Sequence, residues 1–214
     1  MKNIREIFEL ASLPLSQGEE ILLNYFASFI KEWNAKMNLF ASCTDETFFI
    51  KHILDSAYGI DCIDKKKSLH ILDIGTGGGL PGIVLAIFRP LSHFTLMDST
   101  KKKVDAVHDM VERLHLPNVS CVWGRSETLA LDPKFHGMYD MVVARAFAPL
   151  NRLIPAALPF IKPTGRIMAY KGPNVAEELS ERTDLSRNYR VESIKHFELP
   201  FSSGKRTLIL FSML

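Results

Sequence analysis

Ten residues, Asp73-Ile74-Gly75-Thr76-Gly77-Gly78-Gly79-Leu80-Pro81-Gly82, constrain this chain more than any others. They follow a short apolar run, Leu69 to Ile74, that reads as a buried strand. They precede a helical pattern from Pro81 to Phe88. A strand, a tight glycine turn and a helix make the opening unit of a parallel α/β sheet. The rhythm continues downstream. Strands are predicted at Phe94–Met97, Val119–Trp123, Tyr139–Ala144 and Arg166–Tyr170. Helices are predicted at Lys101–Leu114 and, interrupted by proline, Leu150–Phe160. Two last strands, Val191–Phe197 and Thr207–Phe211, have no helix-length gap between them, which places one antiparallel strand near the end.

The first sixty-odd residues have a different period. Ile4, Ile7, Phe8 and Ala11 recur helically until Pro14. Ser16 with Glu19 forms a capping box. Ile21, Leu22, Tyr25, Phe26, Phe29, Ile30 and Trp33 then make one wide apolar helix face. A further helix is predicted over Glu46–Tyr58. Lys65-Lys66-Lys67 marks the boundary, giving a helical extension over residues 1–67 and an α/β domain over residues 68–214.

Composition limits the classes of function. The 26 Lys and Arg against 24 Asp and Glu leave a net charge of +2, which gives no strong pull towards polyanions. The extension carries 8 basic and 10 acidic residues, so the charge is −2 there and +4 in the remainder. Cys43, Cys62 and Cys121 are odd in number and form no CxxC pair, so no disulfide framework or thiolate zinc site is expected. The scattered histidines suggest no metal site. Lys2, Arg5, Glu6 and Glu9 precede no apolar run, which is unlike a signal peptide. The longest apolar runs fall far short of the ~20 residues of a membrane span. The expectation is a soluble, cytoplasmic, monomeric protein.

The glycine loop admits more than one ligand. Gly77-x-Gly79-x-x-Gly82 satisfies the dinucleotide pattern on paper. Two features shift the weight. Asp73, before the glycines, suits a cationic amino-acid ligand better than a pyrophosphate, and Leu80-Pro81 crowds the place where a phosphate-binding helix presents its N–H groups. Asp98 ends the second strand, where a carboxylate accepts both hydroxyls of a ribose. Asp73, the Gly75-x-Gly77-x-Gly79 spacing and Asp98 together fit S-adenosylmethionine best, hence a methyltransferase. No P-loop, GxSxG or HExxH motif is present.

Acceptor chemistry narrows it further. Pyrimidine C5 methylation uses a cysteine after a proline, and here the cysteines follow Ser42, Asp61 and Ser120. Exocyclic amines are held by a Pro-Pro-aromatic loop after the fourth strand, where this chain has Arg145-Ala146-Phe147-Ala148-Pro149. Guanine N7 carries a lone pair and no proton, so positioning suffices and no base is required. No catalytic side chain is assigned.

His52-Ile53-Leu54-Asp55-Ser56, the loop from Asp73 to Gly82, Leu96-Met97-Asp98-Ser99, Arg125-Ser126-Glu127 and Arg145-Ala146-Phe147 together resemble the RsmG (GidB) family. Trp33-Asn34 and Asn38-Leu39 are similar to its N-terminal signature, and the resemblance runs from about residue 16 to the end. It implies a class I S-adenosylmethionine-dependent methyltransferase: a Rossmann-like doubly wound sheet with one antiparallel strand near the C-terminus, and an N-terminal helical extension. It implies methylation of guanine N7 in 16S ribosomal RNA of the small subunit or its precursor. It also implies a cofactor site at Gly75, Leu80, Ser126, Glu127 and Arg145, to which Gly77 and Asp98 are added from the loop reading. Ser126 would act through its backbone, and Ala144 stands where many members have Ser. Arg145 could pair Asp73, cofactor or RNA phosphate. His52 and Asp55, three apart on a helix face, either join helix to sheet or shape the guanine pocket. Lys171 could meet RNA phosphate. The rival readings are a methyltransferase for another RNA, protein or small molecule, a nicotinamide oxidoreductase, and a non-catalytic RNA-binding module.

Overall fold

The computed structural model describes residues 2–180 and 189–214. Seven strands form one sheet: β1 (His70–Ile74), β2 (His93–Asp98), β3 (Val119–Trp123), β4 (Tyr139–Arg145), β5 (Ile161–Lys171), β6 (Tyr189–Leu199) and β7 (Gly204–Met213). Their order is β3-β2-β1-β4-β5-β7-β6. β1 to β5 are parallel, and β7 runs antiparallel between β5 and β6. The order reverses beside β1. Such a switch point opens a crevice at the carboxyl ends of the strands.

The period-2 alternation of a strand decides which residues meet which layer. Ile71, Phe94, Leu96, Met141, Val143, Met168 and Leu210 point to one face. They pack on α1 (Ile4–Leu10), α2 (Gln17–Met37), α5 (Gly82–Phe88) and α6 (Lys101–Arg113). Leu72, Ile74, Val142, Ala144, Ile167, Ile209 and Phe211 point to the other, against α8 (Leu150–Ala157) and α9 (Val175–Ser180). The N-terminal helices share the first of these cores with the sheet.

Helix α2 starts with the expected capping box: Ser16 Oγ accepts from the Glu19 N–H. Its buried face differs from the expected one. Leu23, Phe26, Ala27 and Ile30 are buried, whereas Ile21 and Tyr25 are 47% and 56% exposed. The helix lies over the sheet on a narrower stripe than its apolar content suggests. Trp33 donates from Nε1 to Asp109 at 2.8 Å, tying α2 to α6.

The predicted helix at Glu46–Tyr58 contains three pieces. These are α3 (Asp45–Phe48), a π-helical turn (Phe49–Leu54) and α4 (Asp55–Ala57). Two short helices had no sequence signal, α7 (Ser126–Leu129) and α9.

Gly82 is where the loop meets the sheet. A Cβ there would lie 2.1 Å from Leu96 Cδ2 and 2.7 Å from Asp73 Oδ2. Gly82→Ala should lower unfolding free energy by about 1–3 kcal/mol, the usual cost of overpacking. Chemical denaturation measures this, and wild-type stability in the variant would contradict the packing described.

Candidate active site

The glycine loop is fixed by two carboxylates. Asp73 is fully buried, and its Oδ2 accepts from Thr76 Oγ1 at 2.7 Å and from the Gly82 N–H at 2.8 Å. Burial pushes its carboxyl up to about 6, although those two hydrogen bonds pull the other way. Asp73 therefore braces the loop from below rather than standing open on a cavity as the sequence suggested. Asp98 is 7% exposed, and its Oδ2 accepts from the Gly77 N–H at 3.0 Å while Oδ1 accepts from the Thr100 N–H at 2.8 Å. Each Asp98 oxygen retains acceptor capacity for a ligand hydroxyl.

Two cavities adjoin above this loop. The larger, of about 620 Å³, is lined by Gly75, Gly77, Leu80, Asp98, Arg145, His52 and Lys171 among others. The smaller, of about 310 Å³, is lined by Gly75, Asp98, Ser126 and Glu127. These nine residues thus line adjoining cavities at the carboxyl ends of the strands, whereas Asp73 lines neither. A groove of about 1040 Å³ lies elsewhere, at the opposite strand ends beside Leu69 and Asp140, away from the glycine loop.

Phe147 stands between the two cavities and lines both. It follows Ala146, whose φ of 54° turns the chain sharply after β4. Gly75, with φ of 72°, admits this ring: a Cβ there would lie 2.4 Å from Phe147 Cδ2. The sequence marked Gly75 for backbone approach, but it did not show that the first neighbour is a phenyl ring. Glu127 is exposed in the first turn of α7, with Ser126 half-buried beside it.

Arg145 does not pair Asp73. Its Nη1 lies 3.4 Å from Asp55 Oδ2 and donates to the carbonyls of Lys51 (3.3 Å) and His52 (3.5 Å) in the π-helical turn. Arg206, on β7, donates from Nε to the same Asp55 oxygen at 3.2 Å. Asp55 is only 5% exposed. One buried carboxylate thus clamps the helical extension to β4 and β7. This is the joining role among the two readings of the His52–Asp55 pair, performed by Asp55 through arginines. His52 instead packs its ring on Phe40 and Phe48, with centroids 5.2 and 5.1 Å away. Burial, with Arg145, Lys51 and Arg206 nearby, pushes its imidazole down to about 4. Lys171 is largely buried, and its Nζ donates to the Ala148 carbonyl at 2.8 Å and to Glu178 at 2.6 Å. It holds the loop after β4 in place.

The residues fit a ligand that brings hydroxyls to Asp98 and no phosphate to the start of α5. Asp98 presents a carboxylate to both cavities. The leading N–H groups of α5 are already spoken for: Gly82 donates to Asp73 and Ile83 to the Gly79 carbonyl. A pyrophosphate would find no free N–H cradle there.

An open sheet with this strand order, an inserted antiparallel β7 and a glycine loop answered by an acid ending β2 is the class I methyltransferase fold. Solved structures agree on the fold. TYW2 of M. jannaschii in complex with AdoMet matches at a TM-score of 0.55 and 12% identity, over 76% of this chain and 74% of that one. The ribosomal protein L11 methylase of Lactobacillus delbrueckii subsp. bulgaricus matches at 0.55 and 18%, over 81% of each chain. The family is more specific: residues 19–209 match the model GidB, rRNA small subunit methyltransferase G, and the chain belongs to that family. A protein of Acetivibrio thermocellus named ribosomal RNA small subunit methyltransferase G is 40% identical over 195 residues, spanning 90% of this chain and 80% of its own. A protein of the same name from Deinococcus deserti is 38% identical over 217 residues, covering 96% and 89%.

Two outcomes test the site's electrostatics. Asp55→Ala strands two guanidinium groups and should cost on the order of 3 kcal/mol in denaturant unfolding; a loss below about 0.5 kcal/mol, the scale of an ordinary surface change, would refute the clamp. His52 titrates lower in the folded chain than its usual 6.5. The unfolded chain therefore takes the proton first, and stability falls as pH drops from 6.5 towards 4. Asp73 works in the opposite sense, because its raised carboxyl is protonated in the folded chain first. His52→Phe should therefore reduce the drop in thermal midpoint between pH 7 and pH 5; parallel curves for variant and wild type would contradict this.

Proposed function

We propose that this chain transfers a methyl group from S-adenosylmethionine to N7 of a guanine in 16S ribosomal RNA, in the small subunit or its precursor. The observation that carries the proposal is spatial. The glycine loop, Asp98, Arg145 and the motif from His52 to Asp55 converge on one pair of cavities, and the family match spans all of them. S-adenosylmethionine supplies, when bound, a methyl group on a sulfonium, an electrophile that needs no activation by the protein. Asp98 is the acceptor for its ribose hydroxyls. Gly75 and Gly77 give backbone approach, and Leu80 packs on the ligand. Ser126 and Glu127 form the wall of the smaller cavity, suited to the adenine edge.

On the acceptor side the chain holds and orients rather than moving protons. Guanine N7 brings its own lone pair, so the work is alignment and exclusion of water. Covalent activation is disfavoured. Burial pushes the Cys43, Cys62 and Cys121 thiols up, the last to about 11, and none of the three lines either cavity. His52, held neutral, leaves the N7 lone pair free of competition from an imidazolium donor. Lys51 and Lys103 line the larger cavity and have no carboxylate partner among the described residues, which leaves two cations for RNA phosphate. The near-neutral net charge favours recognition of an assembled surface over indiscriminate RNA binding.

The test uses labelled S-adenosylmethionine with unmethylated small subunits. Wild-type protein should label their RNA. Asp98→Ala should lose at least about ten-fold in cofactor affinity, roughly the worth of one charge-assisted hydrogen bond, and lose labelling in step. Labelling of protein or metabolites without RNA would replace this reading. Unchanged cofactor affinity in Asp98→Ala would refute the ribose assignment.

A further inference from the structure

The larger cavity has one wall that the cofactor residues leave unexplained. Helix α2 ends at Asn38, whose φ of 52° reverses the chain. The Asn34 side chain then accepts from the Phe40 N–H at 2.7 Å, which sets Phe40 on the cavity wall. Ile30 of α2 and Leu39 of the turn approach Gly78, so the wall is seated on the glycine loop. Phe40 packs on Phe48 with centroids 4.8 Å apart and on His52 at 5.2 Å. Phe48 is fully buried, whereas Phe40 and His52 are half-buried and both line the cavity. The result is a block of three rings, two of which line the cavity. Lys51, Arg145 and Arg206 line the same cavity. The two arginines are engaged by Asp55, and Lys51 is free among the described residues. Aromatic backing with a cationic mouth is complementary to one nucleotide, its base on the rings and its phosphate at the cation.

We propose that Phe40, backed by Phe48 and His52, is the stacking surface for the extruded target purine, and that Lys51 at the cavity mouth takes the phosphate beside it. This rests on the RNA methyltransferase reading and gives the target base a seat within it. A base taken out of its stack loses its neighbours, and an aromatic side chain replaces them. The reaction adds a second reason. The N7 lone pair forms the new bond to the methyl carbon, the sulfur–carbon pair leaves with sulfur, and the purine becomes cationic. A phenyl face stabilises that developing charge through its quadrupole. The neighbouring imidazole of His52, pushed down to about 4, stays uncharged and does not oppose it.

The experiment compares Phe40→Leu, Phe40→Met and Phe40→Tyr with wild type, in steady-state methylation of small subunits and in equilibrium S-adenosylmethionine binding. Leucine and methionine keep apolar bulk and lose the π face. Both should lower kcat/KM for subunits about ten-fold with cofactor Kd within about two-fold of wild type, and tyrosine should stay near wild type. Lys51→Ala should raise KM for subunits with kcat preserved. Wild-type kcat/KM in the methionine variant overturns the stacking surface. Loss of cofactor affinity in the leucine and methionine variants that matches the loss of activity also overturns it, since Phe40 would then act through the glycine loop. Wild-type protein that binds cofactor yet labels no ribosomal RNA overturns the reading beneath it.

Discussion

A fully buried carboxylate holds the glycine loop to the sheet. Asp73 takes hydrogen bonds from Thr76 and Gly82 and leaves its second oxygen without a partner. Burial of such a group opposes its ionisation, which is why its carboxyl rises to about 6. The arrangement persists because the loop cannot be set otherwise. Gly82 sits against Leu96 with no room for a side chain, and Gly75 takes a left-handed turn beneath Phe147. From that fixed loop follow the Asp98 contact to Gly77, the division of the crevice by Phe147, and the seat for Ile30 and Leu39 on Gly78.

The second constraint joins the helical extension to this loop. Asp55 holds Arg145 from the end of β4 and Arg206 from β7. Trp33 and Glu32 tie α2 to Asp109 and Arg113 of α6. The extension therefore forms one wall of the crevice, to which Leu39, Phe40, Lys51 and His52 contribute. The sheet supplies the glycine loop, and the helices supply the facing wall of the same cavity.

Much of this was legible in the chain. The strands announced themselves through short apolar runs, and the missing helix between the last two placed the antiparallel strand correctly. The place of Asp98 beside the glycine loop was legible because the acid closes the second strand, although its hydrogen bonds to Gly77 and Thr100 were not. The partners of charges were not legible, because they lie 90 and 151 residues from Asp55. A signal existed even so. Asp55 among Ile53, Leu54 and Ala57, and Arg145 closing an apolar strand, are each costly alone. Two such orphans of opposite sign point to each other. Tyr25 and Ile21 misled because helix periodicity does not say how much of an apolar stripe the neighbouring layer covers. Phe40 gave no signal at all: it follows the helix in a turn, and only the Asn34 hydrogen bond brings it to the crevice.

The identity of the methylated atom separates guanine N7 transfer from every rival chemistry. Small subunits incubated with this protein and labelled S-adenosylmethionine can be digested to nucleosides and resolved by mass spectrometry. The proposed function predicts that the label from 16S RNA elutes as 7-methylguanosine. Label in any other nucleoside, or none in the RNA while cofactor binding is intact, would contradict it.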